Sequence, residues 1–358
     1  MANPLLTGSL RLLNAFASSE LAERYGLHEP AKKWVARGTK LGAELLARAA
    51  ERAKERAKEE PAEPALLFDL TPTEPQELVR ATMRRFAEES VRPAAAEADE
   101  ALGPPPELLE EAAALGLTAL AIPEALGGAA EERSPTTWAL IAEELARGDL
   151  GLAVALLAPA SAAHLVLDHG TAGQQRTWLP AMCGEDFVAA SPALLERAPL
   201  FDPRRPSTRA RAHRKGLRLR GEKALVALGR SARFFVVSAE VDGRGPRLVI
   251  VEHDRPGVSI TPEPAMGMRA ADLCTVRFDD VELPADALLG EAGSHDAQRV
   301  VDLGRLAWCA LGVGQAQAVF EHARDYANDR VAFGEPISNR QSIAFLVADM
   351  AIELEGCA

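Results

Sequence analysis

Apolar residues recur at two different spacings along this chain. Between residues 66 and 186 they follow a helical period, and residues 150–167 are apolar on nearly every side, which is typical of a buried helix. From about residue 187 the period falls to two, in short runs that include β-branched and aromatic residues. The helical period returns after Gly290 and predicts a long helix that ends near Asp329, followed by one more helix.

This order of helices, strands and helices predicts an α+β protein rather than an alternating βαβ protein. Gly221 and Gly229 indicate turns between the predicted strands, whose spacing is typical of an antiparallel barrel or sandwich. No Gly-x-Gly-x-x-Gly follows a strand, which argues against a Rossmann sheet. We predict four regions: a helical N-terminal extension (1–65), a helical domain (66–186), a β domain (187–290) and a partial helical C-terminal domain (291–358).

The predicted N-terminal extension differs in charge from the rest of the chain. It carries 11 Lys and Arg residues against nine Asp and Glu residues. The two signs are mixed rather than segregated, which favours a solvated helical extension that packs on its own domain. The alternative is an amphipathic arm that binds a membrane surface or a partner.

Composition narrows the classes of function. The chain has 358 residues, a formal net charge of −12 and 5% aromatic residues, so we expect no nucleic-acid binding. Its longest apolar stretch, residues 150–160, is too short to span a bilayer, which needs roughly 20 residues. The four cysteines are scattered, and no Cys/His cluster has metal-ligand spacing. We therefore expect reduced thiols, a cytoplasmic location and no metal site.

Four segments carry a resemblance to a known family. They are LGLTALAIPEALGG (115–128), AEELARGD (142–149), RPGVSITPEPAMGMRAADLCTVRFDDVELPADALLG (255–290) and DRVAFGEPISNRQSIAFLVADM (329–350). In the same order, they resemble the first-domain signature, the helix after it, the strand-to-helix passage and the R-x-x-F-G-x-P-I stretch of the acyl-CoA dehydrogenase family. The resemblance extends from Phe68 to the end of the sequence.

The resemblance implies a fold, a cofactor and a reaction. The fold is an all-α N-terminal domain, a middle antiparallel β domain and a C-terminal helical bundle, which is partial here. The protein would be an oxidoreductase of fatty acid metabolism that dehydrogenates an acyl-CoA thioester at its α,β bond and transfers the hydride to FAD. The implied partners are an acyl-CoA substrate, further copies of the chain in a dimer or tetramer, and an electron-transferring flavoprotein as acceptor.

The resemblance also assigns cofactor-binding residues. Arg330, Phe333 and Gln341 match family positions that reach the flavin of a neighbouring subunit, where an Arg forms charge-assisted bonds with a pyrophosphate. The alternative for Arg330 is a cation at a helix C-terminus, favoured by the helix dipole. Ser191 retains a hydroxyl that can bond to the flavin.

The resemblance assigns a substrate pair and no catalytic base. Asp302 and Arg305 match family positions at the acyl-CoA site; alternatively, they form only a local ion pair on one helix face. A subset of the family carries the catalytic carboxylate where this chain has Gly304. Most members carry it in a Tyr-Glu-Gly-Thr-like stretch beyond the position of Ala358. We expect the chain to be a fragment, because the apolar stripe of its last helix needs partner helices.

Two flavin-loop motifs depart from the family pattern. Residues 191–196 replace its Thr-Glu-Pro-x-Ala-Gly-Ser-Asp loop, and Leu-Val-Ala-Leu at residues 225–228 replaces its Trp-Ile-Thr-Asn segment. The departures leave two alternatives to a dehydrogenase. One is a non-catalytic binding or structural protein that has lost flavin, and the other is a flavin oxidase or monooxygenase of the same fold.

One basic segment has no counterpart in the family pattern. Residues 200–233 hold 11 Lys and Arg residues against two acidic residues. Either this segment attracts the phosphates of CoA, or its arginines form the solvated face of alternating strands. The second alternative is favoured by the strand pattern of the same residues.

Overall fold

The computed structural model describes residues 71–130, 133–214, 216–291 and 296–357. The predicted N-terminal extension lies outside these residues. The described chain divides into two compact units, residues 72–316 and residues 317–357. Its α-helices are α1 (Glu74–Phe86), α2 (Arg92–Ala101), α3 (Pro106–Ala114), α4 (Pro135–Gly148), α5 (Leu150–His169), α6 (Ala172–Trp178), α7 (Ala297–Asp329) and α8 (Gln341–Cys357).

Polar side chains cap the N-termini of α5 and α6 in the first unit. Asp149 Oδ1 accepts a hydrogen bond from the Leu152 N–H at 2.8 Å and begins α5. Thr171 and Gln174 form a capping box at the start of α6, in which the Thr171 N–H donates to Gln174 Oε1 at 2.8 Å. These caps satisfy backbone N–H groups that have no partner within the helix.

The helix α5 lies in the core of the first unit. Its residues Ala160, Ala163 and Val166 pack in one cluster with Phe234 and Val236 of the sheet. Within the described ranges it is the one helix long and apolar enough to cross a membrane, and 61% of its most apolar window is buried inside the protein. The prediction of a buried helix in this part of the chain is confirmed.

The middle of the chain forms a seven-stranded sheet. The strands are β1 (Ala190–Ala193), β2 (Arg209–His213), β3 (Gly216–Val226), β4 (Phe234–Val241), β5 (Gly245–Glu252), β6 (Val258–Pro262) and β7 (Cys274–Pro284). Their order is β1-β4-β2-β3-β7-β6, and β5 pairs with the other side of β4. Phe235 and Val237 of β4 face one apolar cluster, while Phe234 and Val236 face the cluster that contains α5. Both faces of this strand are therefore buried.

Two details of the sheet differ from the sequence-based prediction. Gly221 was predicted to be a turn, but it lies inside the continuous strand β3, at a register irregularity opposite β7. A Cβ at this position would lie 2.6 Å from Thr208 Oγ1, so the glycine permits a close approach rather than a turn. In addition, β4 pairs in parallel with β1 and with β2, whereas an entirely antiparallel sheet was predicted. The chain between β1 and β4 is long enough for such a crossover.

The second unit contains the end of α7, a short hairpin and α8. The hairpin strands are β8 (Val331–Ala332) and β9 (Glu335–Pro336). Val347, Ala351 and Leu354 are the buried residues of α8. The order of helices, sheet and helices confirms the predicted α+β fold, while the predicted domain boundaries at residues 186 and 290 stay predictions.

Candidate functional site

Ser191 lies in the interior of the sheet with an unsatisfied hydroxyl. It pairs with Phe235 in the ladder between β1 and β4, and it is 1% exposed. Its Oγ is buried and has no hydrogen-bond partner among the described residues. A buried hydroxyl without a partner costs about 1–3 kcal/mol, and most such groups in native proteins bond to protein, water or a bound molecule. This hydroxyl therefore fits the cofactor role assigned to Ser191.

The two segments that depart from the family pattern are joined through the protein core. Ala227 and Leu228 pack with Ala189, two residues before Ser191, and with alanines of α5. Leu225 and Leu228 adopt left-handed backbone conformations, with φ of 55° and 52°. This conformation costs a non-glycine residue roughly 1–2 kcal/mol, and such strain concentrates at ligand sites. Residues 225–228 are thus a locally strained segment that packs on α5 and on Ala189.

A buried ion pair holds the replaced loop in place. Lys223 is fully buried, and its Nζ donates to Glu196 Oε1 at 2.7 Å and to Ser238 Oγ at 2.9 Å. Burial would raise the pKa of Glu196, but hydrogen bonds from Lys223 and Ser207 lower it to about 2. Burial also lowers the pKa of Lys223 to about 8, although the bond to Glu196 opposes this shift. The residue patterns alone did not indicate this pair, because Lys223 directly follows Glu222 in β3 and has the sequence context of an exposed residue.

A polar cleft lies between the loop that follows Glu196 and the first turns of α7. It has a volume of about 270 Å³ and is lined by Phe201, Asp202, Pro203, Arg204, Gln298, Val301 and Arg305. Arg305 belongs to the predicted substrate pair, and its NH1 lies 3.7 Å from Asp302 Oδ1. The local ion pair is therefore present, and its arginine also faces the cleft.

The loop side of the cleft carries a residue that the motif comparison did not assign. Arg204 Nε donates to Asp202 Oδ1 at 3.0 Å, and its NH1 donates to Gln298 Oε1 at 3.4 Å. Gln298 Nε2 in turn donates to Asp302 Oδ1 at 2.7 Å. This chain of polar contacts joins the loop to the helix that carries the predicted substrate pair.

Four other arginines of the basic segment lie on the hairpin of β2 and β3. Arg209 faces Arg220 across β2 and β3, and Arg211 faces Arg218. The residues between them, among them Ala210 and Leu219, are buried, so the arginines form the outer face of an alternating hairpin. For these four residues, the structure agrees with the predicted solvated face.

Gly304 lies on α7 beside Arg305 and is exposed. A Cβ added there would meet no atom within 4 Å. The position therefore has room for a side chain, and it carries no carboxylate. Within the described ranges, no group of three His, Cys, Asp or Glu residues is close enough to hold a metal ion, and all four cysteines are unpaired thiols.

The remaining candidates, Arg330, Phe333 and Gln341, lie in the second unit. All three are exposed, and Phe333 is 94% exposed with a left-handed φ of 56°. The guanidinium of Arg340 lies 5.0 Å from the centre of the Phe333 ring. The backbone carbonyl of Arg330 accepts a hydrogen bond from the Ile337 N–H at 2.9 Å, which closes the base of the hairpin. Their side chains are thus available to a neighbouring molecule, and their cofactor roles stay predictions.

The sequence matches three family models in succession. These are the acyl-CoA dehydrogenase N-terminal domain at residues 73–186, the middle domain at residues 193–281 and the C-terminal domain at residues 291–358. The chain is 31% identical over 291 residues to the human mitochondrial short-chain specific acyl-CoA dehydrogenase. That match covers 79% of this chain and 70% of the human protein.

Solved structures share the fold. The butyryl-CoA dehydrogenase from Megasphaera elsdenii superposes with a TM-score of 0.74 at 29% identity, over 81% of this chain and 78% of that one. An acyl-CoA dehydrogenase from Bacillus anthracis, solved in complex with FAD, superposes with a TM-score of 0.71 at 28% identity. That match covers 80% of this chain and 51% of the Bacillus chain.

Proposed function

Because this chain belongs to the acyl-CoA dehydrogenase family, we propose that it binds FAD and an acyl-CoA thioester for α,β-dehydrogenation of that thioester. The observation that carries the cofactor assignment is the buried, unpartnered hydroxyl of Ser191. Such a hydroxyl is completed when a bound molecule supplies the missing hydrogen-bond partner.

FAD, when bound, would supply the acceptor for one hydride, which carries the two electrons of the dehydrogenation. The residues of this chain hold the reactants. Ser191 offers a hydrogen bond inside the sheet, where its side chain is buried. Arg305 at the cleft holds a polar part of the thioester substrate through charge-assisted hydrogen bonds.

The proton at the α-carbon needs a carboxylate or another base within hydrogen-bond reach. Position 304, which supplies that carboxylate in a subset of the family, is a glycine in this chain. The described residues that we assign to the site therefore bind and orient, and none of them is assigned to proton transfer.

A second candidate is a family member that binds acyl-CoA without catalysis and without flavin. The replacement of an aromatic residue and a hydroxyl by Leu225 and Ala227 favours it, because both changes remove contacts that would hold a flavin ring. Flavin content separates this candidate from the dehydrogenase. The dimer or tetramer and an electron-transferring flavoprotein as acceptor remain predictions of the resemblance, and the cytoplasmic location remains a prediction from the scattered cysteines.

The test is the flavin content of the purified chain. We expect a yellow protein that releases FAD on denaturation. Substitution of Ser191→Ala removes one buried hydrogen bond to the cofactor and should weaken FAD retention by about fivefold to tenfold. Equilibrium uptake of FAD by the protein measures this change.

The control for Ser191→Ala is Ser259→Ala, because Ser259 is an exposed serine on β6 of the same sheet. Its FAD retention should equal that of the unsubstituted chain. A colourless protein that also fails to take up added FAD would contradict the dehydrogenase and support the non-catalytic candidate.

A further inference from the structure

The cleft between the loop and α7 is too small for a whole CoA thioester. Its volume is about 270 Å³, whereas pockets that enclose a drug-sized ligand measure roughly 300–1,000 Å³. CoA is larger than such a ligand. The cleft therefore accommodates one end or one group of a CoA thioester, and the chemistry of its walls indicates which group.

The walls are mainly polar and combine two guanidinium groups with other polar side chains. Arg204 comes from the loop and Arg305 from the helix, and Asp202 and Gln298 also line the cleft. Guanidinium groups bind phosphate through paired, charge-assisted hydrogen bonds. This combination suits the phosphate-bearing nucleotide end of CoA better than its acyl chain.

We propose that Arg204 recognises a phosphate group at the nucleotide end of CoA, and so determines specificity for CoA thioesters over shorter thioesters. The inference rests on the proposed function for the identity of the substrate. It adds a residue from the basic loop to the substrate pair of Asp302 and Arg305, and it gives part of the basic segment a role.

The present partners of Arg204 are ones that a phosphate can replace. Its side chain is 57% exposed, and it pairs with Asp202, whose side chain is 36% exposed. Exposed ion pairs of this kind contribute little to stability, because water screens both charges. The carboxylates of Asp202 and Asp302 raise the pKa of Arg204, so the side chain keeps its charge for an incoming anion. A phosphate with several acceptor oxygens can therefore compete with Asp202 for the same guanidinium.

Position separates Arg204 from the other arginines of the basic segment. Arg209, Arg211, Arg218 and Arg220 lie on the β2–β3 hairpin and line no part of the cleft. Arg211 pairs with Asp242 at 3.6 Å, and its side chain is 72% exposed. Arg211 therefore provides a matched control, because its removal changes the net charge by the same amount and leaves the cleft intact.

The experiment measures binding of three probes to the full chain by calorimetry. The probes are CoA, 3′-dephospho-CoA and pantetheine, which successively lack the 3′-phosphate and then the whole nucleotide. Arg204→Ala should weaken CoA binding about tenfold and leave pantetheine binding unchanged. Arg204→Lys, which retains the charge, should restore part of the loss. If Arg204→Ala lowers the affinity for 3′-dephospho-CoA as much as the affinity for CoA, the group recognised is the pyrophosphate. If the affinity for 3′-dephospho-CoA is unchanged, the group recognised is the 3′-phosphate.

Three outcomes would overturn the proposal. In the first, the unsubstituted chain binds CoA no more tightly than pantetheine. In the second, Arg204→Ala weakens the binding of all three probes equally, as a general disturbance of the loop would do. In the third, Arg211→Ala weakens CoA binding as much as Arg204→Ala, which would indicate long-range attraction only. FAD uptake, measured separately, tests the proposed function, so a chain that binds CoA through Arg204 but takes up no FAD would contradict only the dehydrogenase.

Discussion

At the scale of single residues, burial decides which polar groups matter for stability. Lys223 and Glu196 lie 27 positions apart in sequence, and both are buried. Lys223 follows Glu222 in the sequence, so nothing in the residue pattern identifies it as buried or identifies its partner. The partner is set by the path of the loop between β1 and β2, which is a tertiary feature. The unsatisfied hydroxyl of Ser191 was assigned only because a family motif pointed to that position.

Substitution of Glu196→Gln should destabilise the protein by about 3–5 kcal/mol, because it leaves the Lys223 ammonium buried without its counter-charge. Urea unfolding measures this change. Asp242→Asn removes the partner of Arg211 in an exposed pair and should cost less than about 1 kcal/mol.

The same pair has a pH signature. The pKa of Glu196 is lowered from 4.5 to about 2 in the folded protein, so its stabilising contribution is complete above pH 4.5 and is lost as the pH falls towards 2. This part of the acid dependence should disappear in Glu196→Gln. Equal losses of stability in Glu196→Gln and Asp242→Asn would contradict the assignment of a buried pair.

Gly304 gives a second prediction at this scale. A side chain at position 304 meets open space, and alanine-like residues are favoured over glycine in a helix interior. We expect Gly304→Glu, supplied with FAD, an acyl-CoA and an artificial electron acceptor, to gain dehydrogenation activity. A general base contributes typically 10²–10⁴-fold, so the rate should exceed that of the isosteric Gly304→Gln control by about 100-fold. Equal rates for the two variants would remove position 304 from consideration as a base.

At the scale of elements, one glycine sets the distance between α7 and α4. A Cβ at Gly314 would lie 1.9 Å from the backbone oxygen of Glu143, so α7 lies directly against the backbone of α4 there. Gly314→Ala should force the helices apart, cost about 1–3 kcal/mol and weaken CoA binding, because α7 also carries Arg305. Thermal unfolding and calorimetry measure the two effects.

Gly312 provides the matched control, because it lies on the same helix and a Cβ there would meet no atom within 4 Å. Gly312→Ala should stabilise the protein by roughly 0.5–1 kcal/mol, since alanine loses less backbone entropy in a helix. The close packing of α7 on α4 would be contradicted if Gly312→Ala lowered the stability of the protein while Gly314→Ala left it unchanged.

At the scale of the whole molecule, the order of elements was predictable because each region keeps one hydrophobic period. In β3, buried Leu217 and Leu219 alternate with Arg218 and Arg220 because one face of this segment is buried, whereas β4 and β5 are continuous apolar runs because both of their faces are buried. The parallel pairing of β1 with β4 was not predictable, because strand order depends on contacts between distant segments. The cleft was not predictable for the same reason: Arg204 and Gln298 are 94 positions apart.

The helix α5 has a consequence for dissecting this protein. Nearly all of its circumference is apolar, and strand β4 supplies Phe234 and Val236 to the cluster that contains Ala160 and Ala163. A polypeptide that ends after residue 186 would keep α5 but lose β4. The apolar face of α5 would then be exposed to water and would favour aggregation or lipid binding. We therefore expect the helical layer to need the sheet layer as a covering surface in order to stay soluble.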